Sequence, residues 1–344
     1  MKNIRLVVCG IGRVGREFLR LLNERGPELE KKYSRRFILS AAADIGGAAL
    51  SASKEGLDPG RLLAHLTRGG SVENFETHGQ PGLSGEQAIK NSDARVLIEA
   101  TPTNLEHGQP AGSHILAAIE QGMDVVSANK GPFVLFYKEL HEAARQNNCG
   151  LHISAATAAA LPTLDVARIC LAGTRVQSAE GILNGTTNYI LTQMSLHETS
   201  YAAALKQAQD LGIAETDPSY DVEGKDTANK IILICNRIFN TSLGLKDITV
   251  QGITSVTPED IKEAAGVGQV IKLIGSCEII QGLPRLSVAP RQLDQDHPLA
   301  RINGSEKAIT YMSDTMGAVT VSGGKSSPVG AAAALLKDLI NAEV

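Results

Sequence analysis

Apolar runs of strand length alternate with segments of helical spacing along the first half of the chain. Residues 4–9, 37–44 and 95–100 are short and almost wholly apolar, which is typical of buried strands. Residues 16–22 and 113–122 instead space their apolar positions as a helix does. Strands that alternate with helices form mostly parallel sheets. The pattern therefore predicts an α/β, Rossmann-like N-terminal domain.

The second half of the chain has a different order of elements. Its apolar positions predict strands near 174–183, 249–256, 269–280 and 308–321, and helices near 187–197, 198–211 and 226–239. This irregular order indicates a second domain of α+β type. Between the two patterns, residues 133–148 are predicted to form one helix.

A glycine turn follows the first predicted strand. It has the sequence GIGRVG and comprises Gly10, Ile11, Gly12, Arg13, Val14 and Gly15. Between a strand and a helix, these glycines allow a tight turn, close approach of the backbone to a pyrophosphate, and close helix packing. The helix start adds unpaired N–H groups for an anion. We therefore expect a dinucleotide site, with a glycine turn that holds no ligand as the alternative.

Asp44 ends the second predicted strand. An acidic residue at this place hydrogen-bonds the adenosine ribose and repels a 2′-phosphate, which favours NAD over NADP. The interval from the glycine turn is longer than the usual ~20 residues, and the nearby Lys54 is able to accept a phosphate. A simple turn or cap residue is the alternative for Asp44.

Polar residues also follow two later strands. Thr101 and Pro102 come after the third predicted strand, and Asn129 and Lys130 after a short strand further on. Ligands of open α/β sheets bind beyond the carboxyl ends of strands. These residues are therefore candidates for the site, with a plain surface charge as the alternative for Lys130.

Gly185 and Thr186 stand between a predicted strand and a predicted helix in the sequence GILNGTTNYIL. Backbone N–H groups and hydroxyls at a helix start suit a carboxylate. Plain N-capping explains this stretch equally well.

Residues 215–230, ETDPSYDVEGKDTANK, are charged and run directly into an apolar segment. Glu215 and Asp221 are loop carboxylates, and Asp226 is suited to a helix start by its charge. Lys230 lies one turn later on the same face. An exposed pair of this kind contributes only ~0.3–0.5 kcal/mol, so we expect Lys230 to exchange a proton during carbonyl/alcohol interconversion. A helix-start ion pair with a snorkelling lysine is the alternative.

Composition narrows the class of protein. The 344 residues carry a formal net charge of -4, which gives no electrostatic case for nucleic acid or an anionic membrane. No apolar run approaches the ~20 residues that span a bilayer, and the N-terminus lacks the features of a signal peptide. The 5 cysteines have no metal or redox spacing. We expect a cytoplasmic protein that binds neither nucleic acid nor membrane and holds no metal.

Taken together, these stretches resemble the homoserine dehydrogenase family over nearly the whole chain. The resemblance rests on GIGRVG, EATPTN, SANKGP, GILNGTTNYIL, ETDPSYDVEGKDTANK and SDTMGAVTVSG, of which the third to fifth are specific. It implies NAD(P)-dependent interconversion of L-homoserine and L-aspartate 4-semialdehyde, a small-molecule reaction of threonine and methionine biosynthesis, in a homodimer.

The resemblance also implies roles and domains. Lys230 and Lys130 become the catalytic lysines. The amino and hydroxyl groups of the substrate are held by the carboxylates of Glu215, Asp221 and Asp226. The other end of the substrate lies near Gly185 and Thr186. An NAD(P)-binding domain spans 1–150, a catalytic and dimerisation domain spans 151–321, and a C-terminal helix within 322–344 returns to the first domain.

Two features depart from the family pattern. Residues 154–160 read SAATAAA where many members have a glutamate and glycines in a segment that binds a monovalent cation. The change argues against a bound metal, although backbone carbonyls are still able to bind sodium, and it leaves a changed substrate open. The end of the chain at Val344 predicts no regulatory domain or fused kinase, and no threonine feedback through one.

Two other functions stay open at this point. The first is a family member that reduces a different short amino or hydroxy acid aldehyde. The second is a catalytically silent NAD-binding regulator, which the presence of both lysines and the carboxylates argues against.

Overall fold

The computed structural model describes residues 1–324 and 326–342. The chain divides into two compact units, one formed by Met1–Ala159 with Ser327–Val344 and the other by Ala160–Ser326. Each unit has its own sheet and its own helices.

The division falls after the short helix Ser154–Ala158, because this helix packs against the C-terminal helix Pro328–Asn341 of the same unit. The functional boundary at 150/151 stays a prediction. Of the predicted C-terminal segment, Lys325 and residues 343–344 lie outside the described residues.

The first unit is built on a sheet that has seven strands within its described residues. These strands are β1 (Lys2–Cys9), β2 (Arg35–Asp44), β3 (Gly47–Leu50), β4 (Gly79–Pro81), β5 (Val96–Glu99), β6 (Asp124–Ser127) and β7 (Leu151–His152). Their order is β4-β3-β2-β1-β5-β6-β7, and β2, β1, β5, β6 and β7 run parallel. The strand order reverses between β1 and β5, where open α/β sheets bind ligands. The three strands predicted in the first half are confirmed.

Helices connect these strands. They are α1 (Arg13–Tyr33), α2 (Pro59–Thr67), α3 (Gly85–Asn91), α4 (Ala111–Glu120), α5 (Gly131–Leu135), α6 (Tyr137–Gln146) and α7 (Ser154–Ala158), followed by the C-terminal helix. The first helix continues through Gly26 and Pro27, which accounts for the long interval between the glycine turn and Asp44. Leu335 of the C-terminal helix shares one apolar core with Phe18 of α1.

The second unit is built on a sheet that has six strands in its described part. These are β8 (Val176–Ile182), β9 (Ile248–Val250), β10 (Gln269–Ile280), β11 (Leu283–Asp294), β12 (Ala308–Ser313) and β13 (Gly317–Ser322), in the order β13-β12-β8-β10-β11-β9. The pairs are antiparallel except for β11 with β9. An antiparallel sheet with irregular helix order is the α+β architecture that the sequence predicted.

The helices of this unit are α8 (Thr163–Asp165), α9 (Gly185–His197), α10 (Tyr201–Asp210), α11 (Ser219–Val222), α12 (Lys225–Phe239) and α13 (Pro258–Gly266). The helix α12 lies very close to β10, since a Cβ at Gly275 would lie 2.8 Å from Thr227 Cγ2. The apolar residues 231–234 of α12 are fully buried. The sheet therefore fixes the position of the helix that carries Asp226 and Lys230.

Several details of the secondary structure differ from the prediction. Residues 133–148 are not one helix, because the backbone at Phe136 (φ -129°) separates α5 from α6. The strand predicted at 249–256 ends at Val250, and the strand predicted at 308–321 is a hairpin of β12 and β13. The long strand β11 was not predicted, because Pro284 and Pro290 interrupt its pattern.

No helix among the described residues has the length and apolar character that crossing a membrane requires.

Candidate nucleotide and substrate sites

The glycine turn lies at the carboxyl end of β1, beside the end of β5. Gly10 has φ +90°, and a Cβ there would lie 2.5 Å from the backbone N of Thr101. A Cβ at Gly15 would lie 2.0 Å from the carbonyl oxygen of Gly10. Neither position tolerates a side chain without movement of the backbone. The turn therefore has the close packing that the GxGxxG pattern predicts.

Gly12 meets open space instead. It is the N-cap of α1, has no side-chain cap, and would carry a Cβ with nothing within 4 Å. Ile11 is buried, Val14 is half-buried, and Arg13 is exposed. An open helix start with free N–H groups fits a pyrophosphate.

Asp44 lies next to this turn. It is the last residue of β2, and the N–H of Gly10 donates to the carbonyl of the preceding residue, Ala43, at 2.9 Å. The Asp44 carboxylate is exposed and accepts from the N–H of Ile45 at 3.0 Å. The contact to Ile45 is that of a turn residue, while the location suits a ribose contact, so both interpretations agree with the geometry.

Asn129 holds the loop that contains Thr101 and Pro102. Its side-chain amide donates to Thr101 O (3.1 Å), Thr101 Oγ1 (3.2 Å) and Pro102 O (3.2 Å), and its Oδ1 accepts from Gly131 N at 3.1 Å. Asn129 is buried and Pro102 is exposed. Lys130 follows at the start of α5, where its backbone N–H donates to Thr103 Oγ1 at 3.4 Å.

A buried polar cluster beneath this loop was not predicted. Glu99 is fully buried and accepts from His114 Nδ1 at 2.8 Å. Ligand-type atoms of Cys9, Glu99 and His114 all lie within 4.8 Å of one another. Burial and the charge of Glu99 raise the pKa of the Cys9 thiol. The sequence signal for this cluster is weak, because Glu99 stands in an otherwise apolar strand and its partner lies on another element.

In the second unit, Asn184 brings two of the predicted carboxylates together. Its side-chain amide donates to Asp221 Oδ1 (2.7 Å) and Asp226 Oδ2 (3.0 Å). Its Oδ1 accepts from Thr187 N (3.0 Å) and so caps α9. Asn184 was not among the predicted site residues, although a capping residue type before Gly185 was a usable signal.

Lys230 joins the same cluster from α12. Its amine donates to Asp226 Oδ2, one turn earlier, and to the carbonyl of Leu183 at 2.8 Å. The side chains of Lys230 and Asp226 are 14% and 9% exposed. The predicted i,i+4 pair on one helix face is therefore confirmed, and it is an almost buried pair.

The remaining predicted substrate residues are less closely connected to this cluster. A Cβ at Gly185 would lie 2.8 Å from the carbonyl oxygen of Ser305, and the Thr186 hydroxyl donates to Ile213 O at 3.1 Å. Glu215 is exposed, and its backbone carbonyl accepts from Gln209 at 3.2 Å. Both helix-start residues therefore have structural contacts of their own.

Lys307 is a buried cation that the sequence analysis missed. It directly precedes Ala308, which pairs with Ile182 in the sheet. Burial lowers the pKa of Lys307 to about 8, with the positive charge of Lys230 as a further lowering cause and Asp226 as an opposing one. The electrostatics of Lys230 and Asp226 thus include a second lysine from another element.

Family models match almost the whole chain. The model described as homoserine dehydrogenase, NAD binding domain, matches residues 10–154, and the model described as homoserine dehydrogenase matches residues 162–340. The first match contains the glycine turn, and the second contains the charged stretch 215–230.

Curated relatives and solved structures agree with these matches. The chain is 38% identical over 336 residues to a homoserine dehydrogenase of Methanocaldococcus jannaschii, covering 98% of this chain and 97% of that protein. It is 34% identical to an NAD(+)-dependent homoserine dehydrogenase of Pseudomonas canavaninivorans, covering 99% and 96%. A crystal structure of a proposed homoserine dehydrogenase of Archaeoglobus fulgidus is 33% identical and covers 98% of both chains with a TM-score of 0.87.

Proposed function

The chain belongs to the homoserine dehydrogenase family, and from this premise we propose that Lys230 transfers the proton of its reaction. The enzyme interconverts L-homoserine and L-aspartate 4-semialdehyde with NAD or NADP. When bound, the nicotinamide cofactor supplies the hydride for reduction and accepts it in oxidation. The protein must hold the substrate and move one proton at the substrate oxygen.

The location of the Lys230 amine carries this proposal. The amine is held by Asp226 and by the carbonyl of Leu183, at the edge of a buried apolar helix. An ammonium group fixed in this way stabilises the alkoxide that forms when the aldehyde carbon gains a hydride, and then gives it a proton. In the direction of oxidation, the neutral amine takes the proton of the homoserine hydroxyl.

We assign the second catalytic role to Lys130. It stands at the carboxyl end of β6, in the place where parallel sheets hold ligands, and its loop is tied down by Asn129. A second cation polarises the carbonyl oxygen and shares the negative charge of the alkoxide.

The substrate's own charges match the proposed binding residues. Asp221 and Asp226 share the Asn184 amide, which holds two carboxylates close enough to bind one ammonium group. Glu215 adds a third carboxylate from the loop. The backbone N–H groups of Gly185 and Thr186 lie at the start of α9. This is the positive end of the helix dipole, which attracts a carboxylate.

The nucleotide turn fits a dinucleotide because Gly10 and Gly15 leave no room for side chains, while Gly12 leaves the start of α1 open. We propose that Ile11, Arg13 and Val14 complete this turn around the pyrophosphate. Thr101, Pro102 and Asn129 would lie toward the nicotinamide. Asp44 would bind the adenosine ribose and favour NAD.

We further propose a cytoplasmic homodimer. Large exposed apolar side chains stand on two hairpins of the sheet in the second unit, namely Met312 and Met316 on the β12–β13 hairpin, Ile280 at the end of β10 and Leu283 at the start of β11. Exposed apolar side chains of this number on one sheet support a contact with a second copy. Light scattering of the purified protein would give its mass in solution, and a monomer at micromolar concentration would reject the dimer.

Steady-state homoserine oxidation tests the function directly. The rate is measured with NAD and NADP separately, each with and without sodium or potassium. We expect turnover with at least one nucleotide. Turnover only with a different aldehyde would favour another substrate, and cofactor binding without any turnover would favour a silent regulator.

Lys130→Ala tests the second lysine. We expect kcat to fall by roughly 10²-fold, in the range found when a positioned charge-stabilising group is removed. Lys138→Ala is the matched control, because Lys138 is an exposed lysine of α6 in the same unit. Equal kcat values for the two variants would remove Lys130 from the mechanism.

A further inference from the structure

Glu99 is a carboxylate at the carboxyl end of β5 with no exposed surface. Burial of a carboxylate is costly unless several hydrogen bonds replace its water. Glu99 Oε1 accepts from the backbone N–H of Thr101 at 2.8 Å and also from the Thr101 hydroxyl. Its Oε2 accepts from His114 Nδ1 at 2.8 Å. Two of its three donors belong to one loop residue.

His114 is itself fixed by packing. It lies in α4 with 7% of its surface exposed, and a Cβ at Gly85 would lie 2.2 Å from its Nε2. A carboxylate accepts hydrogen bonds and does not donate them, so His114 Nδ1 is the donor in this contact. His114 therefore fixes the orientation of Glu99 through the carboxylate oxygen that does not contact Thr101.

A second group holds the same loop from the end of the neighbouring strand. Asn129 donates to Thr101 O, Thr101 Oγ1 and Pro102 O. Together, Glu99 and Asn129 bind the N–H, the hydroxyl and the carbonyl of Thr101 and the carbonyl of Pro102. The clamped loop rests on Gly10 and presents Pro102 to solvent. An exposed proline ring on a loop with its polar groups satisfied is a rigid surface beside the glycine turn.

We propose that Glu99 is a positioning residue that fixes Thr101 and Pro102 against the nicotinamide half of the cofactor, an inference that rests on the cofactor role proposed above for these two residues. It acts through Thr101 and does not touch the reacting atoms. A bound metal at Cys9, Glu99 and His114 explains the contacts less well, because both Glu99 oxygens already accept from protein donors. The buried Cys9 thiol also has a raised pKa and keeps its proton.

The test separates the two halves of the cofactor. Glu99→Ala removes the acceptor, Glu99→Gln keeps an oxygen for both Thr101 donors, and Glu120→Gln is a matched control on an exposed glutamate of α4. Calorimetry gives the Kd of ADP-ribose, which lacks nicotinamide, and of NAD. Steady-state homoserine oxidation gives kcat/KM for the cofactor.

For Glu99→Ala we expect kcat/KM for the cofactor to fall about tenfold or more, since a misplaced binding loop has effects of this size. The Kd of ADP-ribose should stay within about twofold of the unmodified protein, and Glu99→Gln should recover most of the loss. Equal weakening of ADP-ribose and NAD would show a general structural role and overturn the proposal, as would unchanged kinetics or stoichiometric metal in the purified protein.

Thr101→Val covers the case in which Glu99→Ala fails to fold. It removes the hydroxyl that contacts both Glu99 and Asn129. It should lower kcat/KM for the cofactor without changing the ADP-ribose Kd, and an unchanged kcat/KM would count against the clamp. Failure of the proposed function is a separate outcome, seen as absent homoserine oxidation in the unmodified protein. The ratio of NAD to ADP-ribose affinity still reports on Glu99 in that case.

Discussion

The amine of Lys230 donates to the carboxylate of Asp226, one turn earlier in the same helix, and both side chains are almost buried. A surface pair of this kind contributes little because water competes for both partners. Here the apolar residues that follow Lys230 exclude water from one side, while Leu183 O accepts from the amine on another. The pair therefore differs from an exposed surface pair in its burial and in its third partner, the carbonyl of Leu183.

Replacement of Lys230 tests this organisation. For Lys230→Ala we expect kcat for homoserine oxidation to fall by about 10²–10⁴-fold, the usual size of a general acid–base contribution. The KM for homoserine should change less, because the residues proposed to bind the ammonium group of the substrate are carboxylates and not Lys230. Initial rates at saturating homoserine and cofactor measure both constants.

Lys225→Ala is the matched control for this variant. Lys225 is the first residue of the same helix, is 59% exposed, and pairs with Glu223. Its replacement should leave kcat within about twofold, since exposed pairs contribute little. Near-normal turnover in Lys230→Ala would remove the lysine from the proton transfer.

Asn184 caps α9 and also donates to Asp221 and Asp226, the two carboxylates proposed to bind the substrate. For Asn184→Ala we expect loss of the α9 cap, which costs about 1 kcal/mol, and a rise in the homoserine KM of roughly tenfold, equal to ~1.4 kcal/mol of binding. The rise follows because Asp221 and Asp226 lose the donor that they share. Thermal unfolding and steady-state kinetics measure the two effects.

Ser200→Ala separates these effects. Ser200 caps α10 through a hydrogen bond from Ala203 N at 3.2 Å. This variant should lose stability to a similar extent and keep the wild-type KM. An equal KM for both variants would mean that Asn184 is a capping residue and nothing more.

Asp44 gives a test of cofactor preference. Asp44→Asn keeps the oxygen that accepts from Ile45 N and removes the charge. The ratio of kcat/KM for NADP to that for NAD should rise about fivefold to tenfold, because removal of one exposed repulsive charge is worth ~1 kcal/mol. Glu55→Gln, which removes an exposed charge after β3, should leave the ratio unchanged. No change in Asp44→Asn would favour the simple turn residue.

The parallel strands β1, β2, β5 and β6 of the first sheet were predictable because each is an apolar run that ends at a polar or glycine residue. Other elements, in both units, were harder to predict. The strand β11 contains Pro284 and Pro290, and the helix predicted at 133–148 breaks at Phe136 with no proline or glycine to mark it. Local pattern does not show where a strand leaves its sheet, as at Val250.

In the candidate site, too, some contacts were predictable from the sequence and others were not. The Lys230–Asp226 contact was predictable because both residues lie on one helix, four positions apart. The contacts of Asn184 and Glu99 depend on residues of other elements of the fold. Such contacts arise from the packing of whole elements, which spacing along the chain does not reveal.

Lys272 gives a prediction for the pH dependence of stability. Its amine is buried and donates to Ile302 O (2.5 Å), Asn303 Oδ1 (3.1 Å) and Asn188 Oδ1 (3.2 Å), and burial lowers its pKa from 10.5 to about 8. Between these two values the unfolded chain holds a proton that the folded protein has lost. The free energy of unfolding should therefore rise with pH from about 8 to about 10.5, by at most ~1.4 kcal/mol per pH unit for this group.

Lys272→Met should remove part of this rise and not all of it, because Lys307 also has a pKa of about 8. Urea unfolding at several pH values between about 7.5 and 10.5, the range that contains both pKa values, measures the slope. The exposed Lys262 of α13 is the control, and Lys262→Met should keep the wild-type slope. Identical slopes in all three proteins would show that Lys272 keeps its ordinary pKa.

The segment 154–160 contains an alanine in a conformation that favours glycine. Ala159 ends α7 with φ 54° and ψ -115°. For a residue with a Cβ this backbone costs of order 1–3 kcal/mol. Replacement by glycine removes that cost but lowers stability by about 0.5–1 kcal/mol, because glycine gives the unfolded chain more conformational freedom. Ala159→Gly should therefore raise the free energy of unfolding by about 1 kcal/mol, as measured by urea titration. Ala158→Gly, inside the helix α7, should lower it by about as much, and stabilities that moved in the same direction would show that Ala159 is unstrained.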